Sequence, residues 1–346
     1  MDINAHQYTD HIQGVKVLLV GVIPPPLGGI AVHLKRVQAK LTAQGSTVLV
    51  WDVCKKQQGL SQISYYWRLI RFCFYEQPQV IIYHTLQLRS TPIELLVLLG
   101  MGKLFNSQIL VVIHSARFID RISWLCRKLT GLGLKHCKQI IIVSQQVKNL
   151  LQSKLSLPTQ VVVESPFLLP NLADRDYILN KLTVELKQFL RQHHPVVTVA
   201  ITRLDDWQGS DLYGTDLAIA AFKSFLLDYP DAGLLIVLGN RNGKSIVASS
   251  NIYVLCEWEQ EMWPLIGKSE LFIRPTRSDA NAISVMEALY LNIPVIASDV
   301  CLRPAGTVLF KSGDAADLYQ KMVQVWQAAS ALNPTWPQNK IDTPDL

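Results

Sequence analysis

The stretch from Ser269 to Val300, SELFIRPTRSDANAISVMEALYLNIPVIASDV, limits the possible folds more than any other part of the chain. A short apolar run, Leu271-Phe272-Ile273, closes in Arg274-Pro275-Thr276, and a polar loop carrying Asp279 follows. Ile283, Met286, Ala288, Leu289 and Leu291 then recur at roughly 3.6-residue spacing, which predicts a helix starting near Ser284. A second apolar run, Pro294-Val295-Ile296-Ala297, ends at Ser298-Asp299. Strand, loop, helix and strand in this order build a parallel sheet. The unit sets two carboxylates, Asp279 and Glu287, on a loop and helix start beyond the carboxyl end of a strand. Open α/β sheets bind ligands at that edge, and a helix start with free N–H groups is a natural seat for phosphate.

The remaining chain repeats this grammar. Val15–Val20 reads as a buried strand, followed by a Pro-Gly-rich loop to Gly28-Gly29, a helix from Ile30 to Leu41 closed by Gly45, and a strand at Thr47–Val53. The paired glycines permit close backbone approach to a phosphate or sugar. The loop has neither the Gly-x-Gly-x-x-Gly spacing of dinucleotide folds nor the Gly-Lys-Ser/Thr of a P-loop. Further strands are predicted at Val80–Tyr83, Ile109–Ile113 and Gln139–Val143, with helices between, and Val161–Pro166 reads as the last strand of the first domain. His84 and His114 each follow a strand and are candidate site residues, whereas His33 reads as a partly exposed helix residue. The polar stretch from Ser165 to His194 is the predicted linker. A second α/β domain then opens at Pro195–Ile201, with a helix at Asp216–Leu227, strands at Gly233–Leu238 and Asn251–Leu255, and a last helix at Asp317–Leu332. The expected domains are therefore 1–170 and 171–330, with an irregular tail over 331–346.

Several function classes are disfavoured. The most apolar candidate for a membrane span, Ile93–Phe105, is interrupted by Glu94 and Lys103 and is too short. The polar N-terminus has no signal-peptide pattern. Six cysteines without a Cys-x-x-Cys pair argue against a zinc site or disulfide framework and favour a reducing cytosol. Asp174-Arg175-Asp176 has a metal-binding spacing but follows no strand, and it is read as chance. Charge is uneven: residues 1–170 hold 18 lysines and arginines against 7 acids, and the rest hold 15 against 20. A basic half suits an anionic partner. Tyr65–Tyr75 (YYWRLIRFCFY) interleaves aromatics with Arg68 and Arg71. It reads either as a core-facing helix or as a face for an anionic membrane. No nucleic-acid motif accompanies it.

Asp279-x7-Glu287, Glu287-Ala288-Leu289 and Asn292-Ile293-Pro294-Val295 resemble the Glu-x7-Glu signature of family 4 glycosyltransferases, and Pro-x-x-Gly-Gly after the first strand resembles the amino-terminal loop of the same family. The resemblance implies a GT-B fold, in which two Rossmann-like domains with parallel sheets face a central cleft. It also implies a retaining, metal-independent transfer from a nucleotide-sugar, without cofactor. Glu287 is then expected on the ribose hydroxyls, Asp279 on the transferred sugar, Arg203 on the diphosphate and His114 near the donor sugar. Gly28, Gly29, Ala280, Asn281, Ala282 and Ile283 are expected to supply backbone groups to the donor. The family's second diphosphate cation, a Lys before Gly, is replaced here by Tyr213-Gly214 after an insertion of Asp205–Leu212. Lys244, Arg274 and Arg277 are candidates to compensate.

Two functions follow. One is a cytoplasmic transferase, peripheral on the inner face of the cell membrane, with a lipid-linked or saccharide acceptor in cell-surface polysaccharide assembly. The other is a catalytically weak scaffold that binds a partner glycosyltransferase. A sugar-nucleotide epimerase or phosphorylase of the same fold ranks last.

Overall fold

The computed structural model describes residues 8–24, 28–53, 62–85, 91–116, 119–158, 160–240 and 245–332. Lys55, Lys56, Lys244, the Pro25-Pro26-Leu27 part of the first loop and the tail from 333 onward lie outside the described residues. Two compact units emerge, one formed by 30–168 with the strand before it and the other by 169–346, with Gly28 and Gly29 grouped with the latter.

The first unit alternates strands and helices: β1 (Lys16–Gly21), α1 (Gly29–Ala43), β2 (Thr47–Asp52), α2 (Gln62–Glu76), β3 (Val80–Thr85), α3 (Thr91–Phe105), β4 (Gln108–Ile113), α4 (Trp124–Lys135), β5 (Gln139–Ile142), α5 (Gln145–Gln152) and β6 (Val161–Val163). All strand pairs are parallel, in the order β2-β1-β3-β4-β5-β6. A parallel sheet covered on both faces demands near-continuous apolar strands, and Val17–Val20, Ile81–Tyr83 and Ile109–Ile113 supply them, all buried. Gly45, at φ +79°, follows α1 in the left-handed conformation that glycine favours.

The second unit begins with α6 (Arg175–Asn180) and α7 (Val184–Gln192), then β7 (Val196–Arg203), a hairpin of β8 (Asp206–Trp207) and β9 (Ser210–Asp211), α8 (Thr215–Asp228), β10 (Gly233–Asn240), β11 (Ile252–Cys256), α9 (Trp263–Ile266), β12 (Leu271–Arg274), α10 (Ile283–Tyr290), β13 (Val295–Ser298), β14 (Thr307–Phe310) and α11 (Ala315–Leu332). The large sheet is again all parallel, in the order β11-β10-β7-β12-β13-β14. Within the unit this is the doubly wound order 3-2-1-4-5-6.

Alternation along the strands assigns the two faces. Val197, Val199 and Ile201 of β7 join Phe222 and Phe225 of α8 and Leu318 and Met322 of α11 in one core. Val196 joins Leu235 and Val237 of β10, with Ile178, Leu179, Leu182, Leu186 and Phe189, on the other face. Most of that second layer comes from α6 and α7, so the stretch expected to be a linker is part of the domain. Thr183 caps α7 by accepting from the Leu186 N–H, and the helix is short enough for its polar positions to mask its apolar stripe.

Leu186 is fully buried, so Leu186→Ala is expected to cost about 2–5 kcal/mol of stability. Denaturant unfolding followed through the second unit checks this; a linker residue would leave the midpoint unchanged.

Candidate functional site

The doubly wound order reverses between β7 and β12, and the crevice outside the carboxyl ends of the strands at such a reversal is where open sheets take ligands. Here those ends are Thr202-Arg203 and Arg274-Pro275-Thr276. The loop to α10 carries Asp279, and the sequence from Ala280 to Ile283 leads into the helix. Ala282 and Ile283 are buried, and Ala280 and Asn281 are partly exposed. Ala282 stands at the helix cap without a side-chain hydrogen bond, so the first turn presents backbone N–H groups and the positive end of the helix dipole. Glu287, one turn further on, is 4% exposed.

Asp279 is a hub. Its Oδ2 accepts from Arg303 Nη1 at 2.9 Å, Arg274 Nε at 3.2 Å and Thr276 Oγ1 at 3.3 Å, while Oδ1 accepts from the Ala280 N–H at 3.0 Å. Burial by itself would raise its pKa. The guanidiniums of Arg274 and Arg303 outweigh burial and hold the carboxyl well below the usual carboxylate range. Arg303 was not foreseen from the sequence. Its side chain is 2% exposed, and it also donates to the Ser298 carbonyl and to the hydroxyls of Thr276 and Ser298. An isolated arginine two residues past a cysteine gives no local signal. Only its place beyond the carboxyl end of β13 could have marked it. Two guanidiniums against one carboxylate leave this trio a surplus positive charge.

The candidate compensating cations have different fates. Arg277 makes a two-pronged bond to Asp216, at 2.8 and 2.7 Å, and donates to the Asp211 carbonyl at 2.6 Å. Arg274 also donates to the Ala200 carbonyl at 2.9 Å, and its guanidinium lies 5.4 Å from the centroid of the Tyr213 ring. A cation therefore stands against the tyrosine. Arg203, at the end of β7, is 59% exposed and pairs with Asp205 at 2.6 Å; a pair this exposed is easily exchanged for another anion.

The insertion is ordered as the β8–β9 hairpin, whose two-residue turn has Gln208 and Gly209 at φ +51° and +80°, as tight hairpins require. Asp211 accepts from the Tyr213 and Thr215 N–H groups and so starts α8. Gly214, at φ +67°, admits no side chain, because a Cβ there would lie 1.9 Å from the Pro275 carbonyl oxygen.

In the first unit the sheet order also reverses, between β1 and β3, and three histidines gather there. His84 is the penultimate residue of β3, His114 directly follows β4, and His33 lies on α1. His33 is 2% exposed, which corrects the expectation of a partly exposed helix residue. The segment after β6 crosses over this part of α1: the Pro166 carbonyl accepts from His33 Nδ1 at 2.6 Å and the Leu168 carbonyl from Arg36 Nη1 at 2.7 Å. His84 Nδ1 and His114 Nε2 are 3.1 Å apart. Burial lowers the His33 imidazole to about 4, the Pro166 hydrogen bond opposing and Arg36 adding to the shift. Burial and the neighbouring imidazoles push His84 and His114 well below the ordinary value. Gly28 precedes α1 and Gly29 is its first residue, exposed and with open space around it.

Residues 196–328 match the family described as "Glycosyl transferases group 1". No curated protein matches the sequence. Among solved structures, HepE from Anabaena in complex with UDP-glucose is similar over 96% of this chain and 93% of its own, at TM-score 0.64 and 13% identity. Sucrose-phosphate synthase from Thermosynechococcus elongatus is similar over 95% and 92%, at TM-score 0.63 and 14% identity. An Escherichia coli structure described as trehalose-6-phosphate bound with UDP-2-fluoro glucose is similar over 94% of each chain, at TM-score 0.62 and 11% identity. At these identities the likeness is one of fold, and the fold is GT-B.

Removing the Asp279 charge strands two guanidiniums. Asp279→Asn is therefore expected to cost about 3–5 kcal/mol at neutral pH, as breaking a buried ion pair does. Because the folded carboxyl is more acidic than the unfolded value of about 3.9, its contribution is complete above that value and fades as pH falls below it. Urea unfolding of both proteins should thus show a gap at pH 7 that narrows towards pH 3.

Proposed function

We propose that the chain is a retaining glycosyltransferase of the family 4 type, which moves a sugar from a nucleotide-sugar donor to a lipid-linked or saccharide acceptor in cell-surface polysaccharide assembly. The observation that carries the proposal is Asp279 and Glu287 flanking the start of α10 at the reversal point of a doubly wound sheet, within the segment that matches group 1 glycosyl transferases. HepE in complex with UDP-glucose, as a fold relative, supports a nucleotide-sugar as the donor.

In this reading Glu287 takes the two ribose hydroxyls, since one carboxylate can accept from both. The diphosphate sits on the backbone N–H groups leading into α10, from Ala280 through Ile283. Arg203 is released from Asp205 to meet it. The surplus charge of the Arg274–Asp279–Arg303 trio takes over from the lysine that Tyr213 replaces. A carboxylate has about four acceptor sites. Three donors crowd Oδ2 of Asp279, whereas Oδ1 accepts from the Ala280 N–H, so a sugar hydroxyl meets Asp279 through the remaining site of Oδ1. Its ionised state excludes it as a proton donor.

The transfer breaks the bond from the anomeric carbon to the diphosphate oxygen and forms the bond to the acceptor oxygen on the same face. The acceptor's hydroxyl proton passes to the departing diphosphate oxygen. Cations and backbone donors stabilise the leaving charge, and no metal or cofactor takes part in this step. Gly28, Gly29 and His114 keep the donor-side roles that the family resemblance implies.

A membrane surface as the acceptor's location draws support from α2 and α4. Helix α2 buries only Tyr65, Leu69 and Cys73 and exposes Ile63, Trp67, Phe74 and Tyr75 beside Arg68 and Arg71. Helix α4 exposes Trp124, Leu125 and Leu132, with the Lys128 ammonium 4.0 Å from the Trp124 ring centroid. Exposed aromatics beside basic residues fit the interface of an anionic bilayer. Among the described residues no helix is long and apolar enough to cross a membrane. The proposed place is the cytoplasmic face of the cell membrane.

Calorimetric titration with UDP, GDP, ADP and CMP in the absence of metal tests the donor site. One nucleotide should bind, and Glu287→Ala should weaken it at least tenfold, about 1.4 kcal/mol. Binding to none would favour the scaffold for a partner glycosyltransferase. Flotation with anionic liposomes should carry the protein upward, with Trp67→Ala/Trp124→Ala reducing the bound fraction several-fold; no salt-sensitive flotation removes the membrane claim.

A further inference from the structure

We propose that His33, His84 and His114 form a site for one transition-metal dication of the zinc class, built from residues of the first unit alone. The proposal does not depend on the glycosyltransferase reading. The three imidazoles come from α1 and from the carboxyl ends of β3 and β4, and one nitrogen of each lies within 4.8 Å of the others. Ring centroids stand 5.2–5.4 Å apart for all three pairs.

Two details go beyond proximity. The Pro166 carbonyl can only accept, so His33 Nδ1 carries the proton and Nε2 presents its lone pair, to which the Tyr8 hydroxyl donates at 3.1 Å. A backbone carbonyl fixing the outer nitrogen of a histidine is the usual support of a metal-bound imidazole. His84 is fully buried, yet its Nε2 has no hydrogen-bond partner among the described residues. Leaving a buried polar nitrogen unpaired is costly, so the cluster is incompletely satisfied as it stands.

Spacing agrees with the assignment. Tetrahedral zinc with bonds of 2.0–2.1 Å separates its nitrogen ligands by about 3.3 Å, and His84 Nδ1 and His114 Nε2 are already 3.1 Å apart. The widest separation needs to close by no more than about 1.5 Å, which side-chain rotation achieves as the Tyr8 hydroxyl moves off His33. The proton shared between His84 and His114 shifts to an outer nitrogen, so three neutral imidazoles bind the ion with no net proton release. An all-nitrogen set without carboxylate or thiolate selects zinc, cobalt, nickel or copper over magnesium and calcium. The ion would tie α1 to the edge of the sheet and keep a fourth position open.

The test is titration of the intact, untagged, chelator-stripped protein with cobalt(II), read by visible absorption, and with zinc by calorimetry. The expected result is one ion per chain with micromolar or tighter affinity and no response to magnesium. His84→Gln and His114→Gln should each weaken binding at least 100-fold, while Tyr8→Phe, which frees His33 Nε2 and removes no ligand, should tighten it. His11→Gln and His136→Gln, on exposed surface, control for adventitious binding and should change nothing. Absence of a stoichiometric site in the wild type, or binding lost in the surface variants and kept in His84→Gln, overturns the proposal. Circular dichroism of each variant separates loss of a ligand from loss of fold, and Tyr8→Phe decides the matter should His84→Gln unfold.

Discussion

A parallel strand cannot return to its neighbour by a tight turn, and both large sheets of this protein are parallel throughout. Each strand must instead be followed by a crossover, mostly a helix, that covers one face of the sheet. The helices bury both faces, which is why Val197 and Val196, adjacent in sequence, belong to separate cores. The same constraint brings every strand exit to one edge. Chemistry-bearing residues far apart in sequence, such as Arg274 and Arg303 on Asp279, or His84 and His114, meet there because of topology, not because of local sequence.

Electrostatics then decides what that edge can do. Around Asp279 the protein has assembled a buried carboxylate with two arginines, two hydroxyls and a backbone N–H. A buried ion pair adds little to stability over an apolar alternative and is costly to break. Its worth here lies in holding guanidinium groups at fixed positions near a helix start, where a departing anion would need them. The first unit shows the opposite arrangement: His33, His84 and His114 cluster without an acidic partner among the described residues, and burial favours their neutral forms.

The strands were legible because a parallel sheet writes itself as short apolar runs, and the predicted runs at Val80, Ile109, Gln139, Val161 and Gly233 fall on β3, β4, β5, β6 and β10. The expected GT-B architecture followed from residues near both ends of the chain. Three features escaped. Helices α6 and α7 were read as a linker because each is only two turns or so long, and their apolar stripe gains meaning only against Leu235 and Val237. His33 was read as exposed because nothing local announces that residues 166–168 cross over α1. Arg303 was missed because its partner lies 24 residues away, with α10 and β13 between them. Each miss is a long-range contact, invisible to periodicity.

The close approach of Gly214 to Pro275 ties otherwise separate pieces of chain together. With no room for a side chain, the start of α8 rests directly on the loop after β12, and Arg277 clamps that loop to Asp211 and Asp216 from the other side. The hairpin, the helix start and the acidic loop are thereby fastened as one rigid block before any ligand arrives. A ligand docking against such a block has little loop entropy left to freeze out, so more of its contact energy remains as affinity.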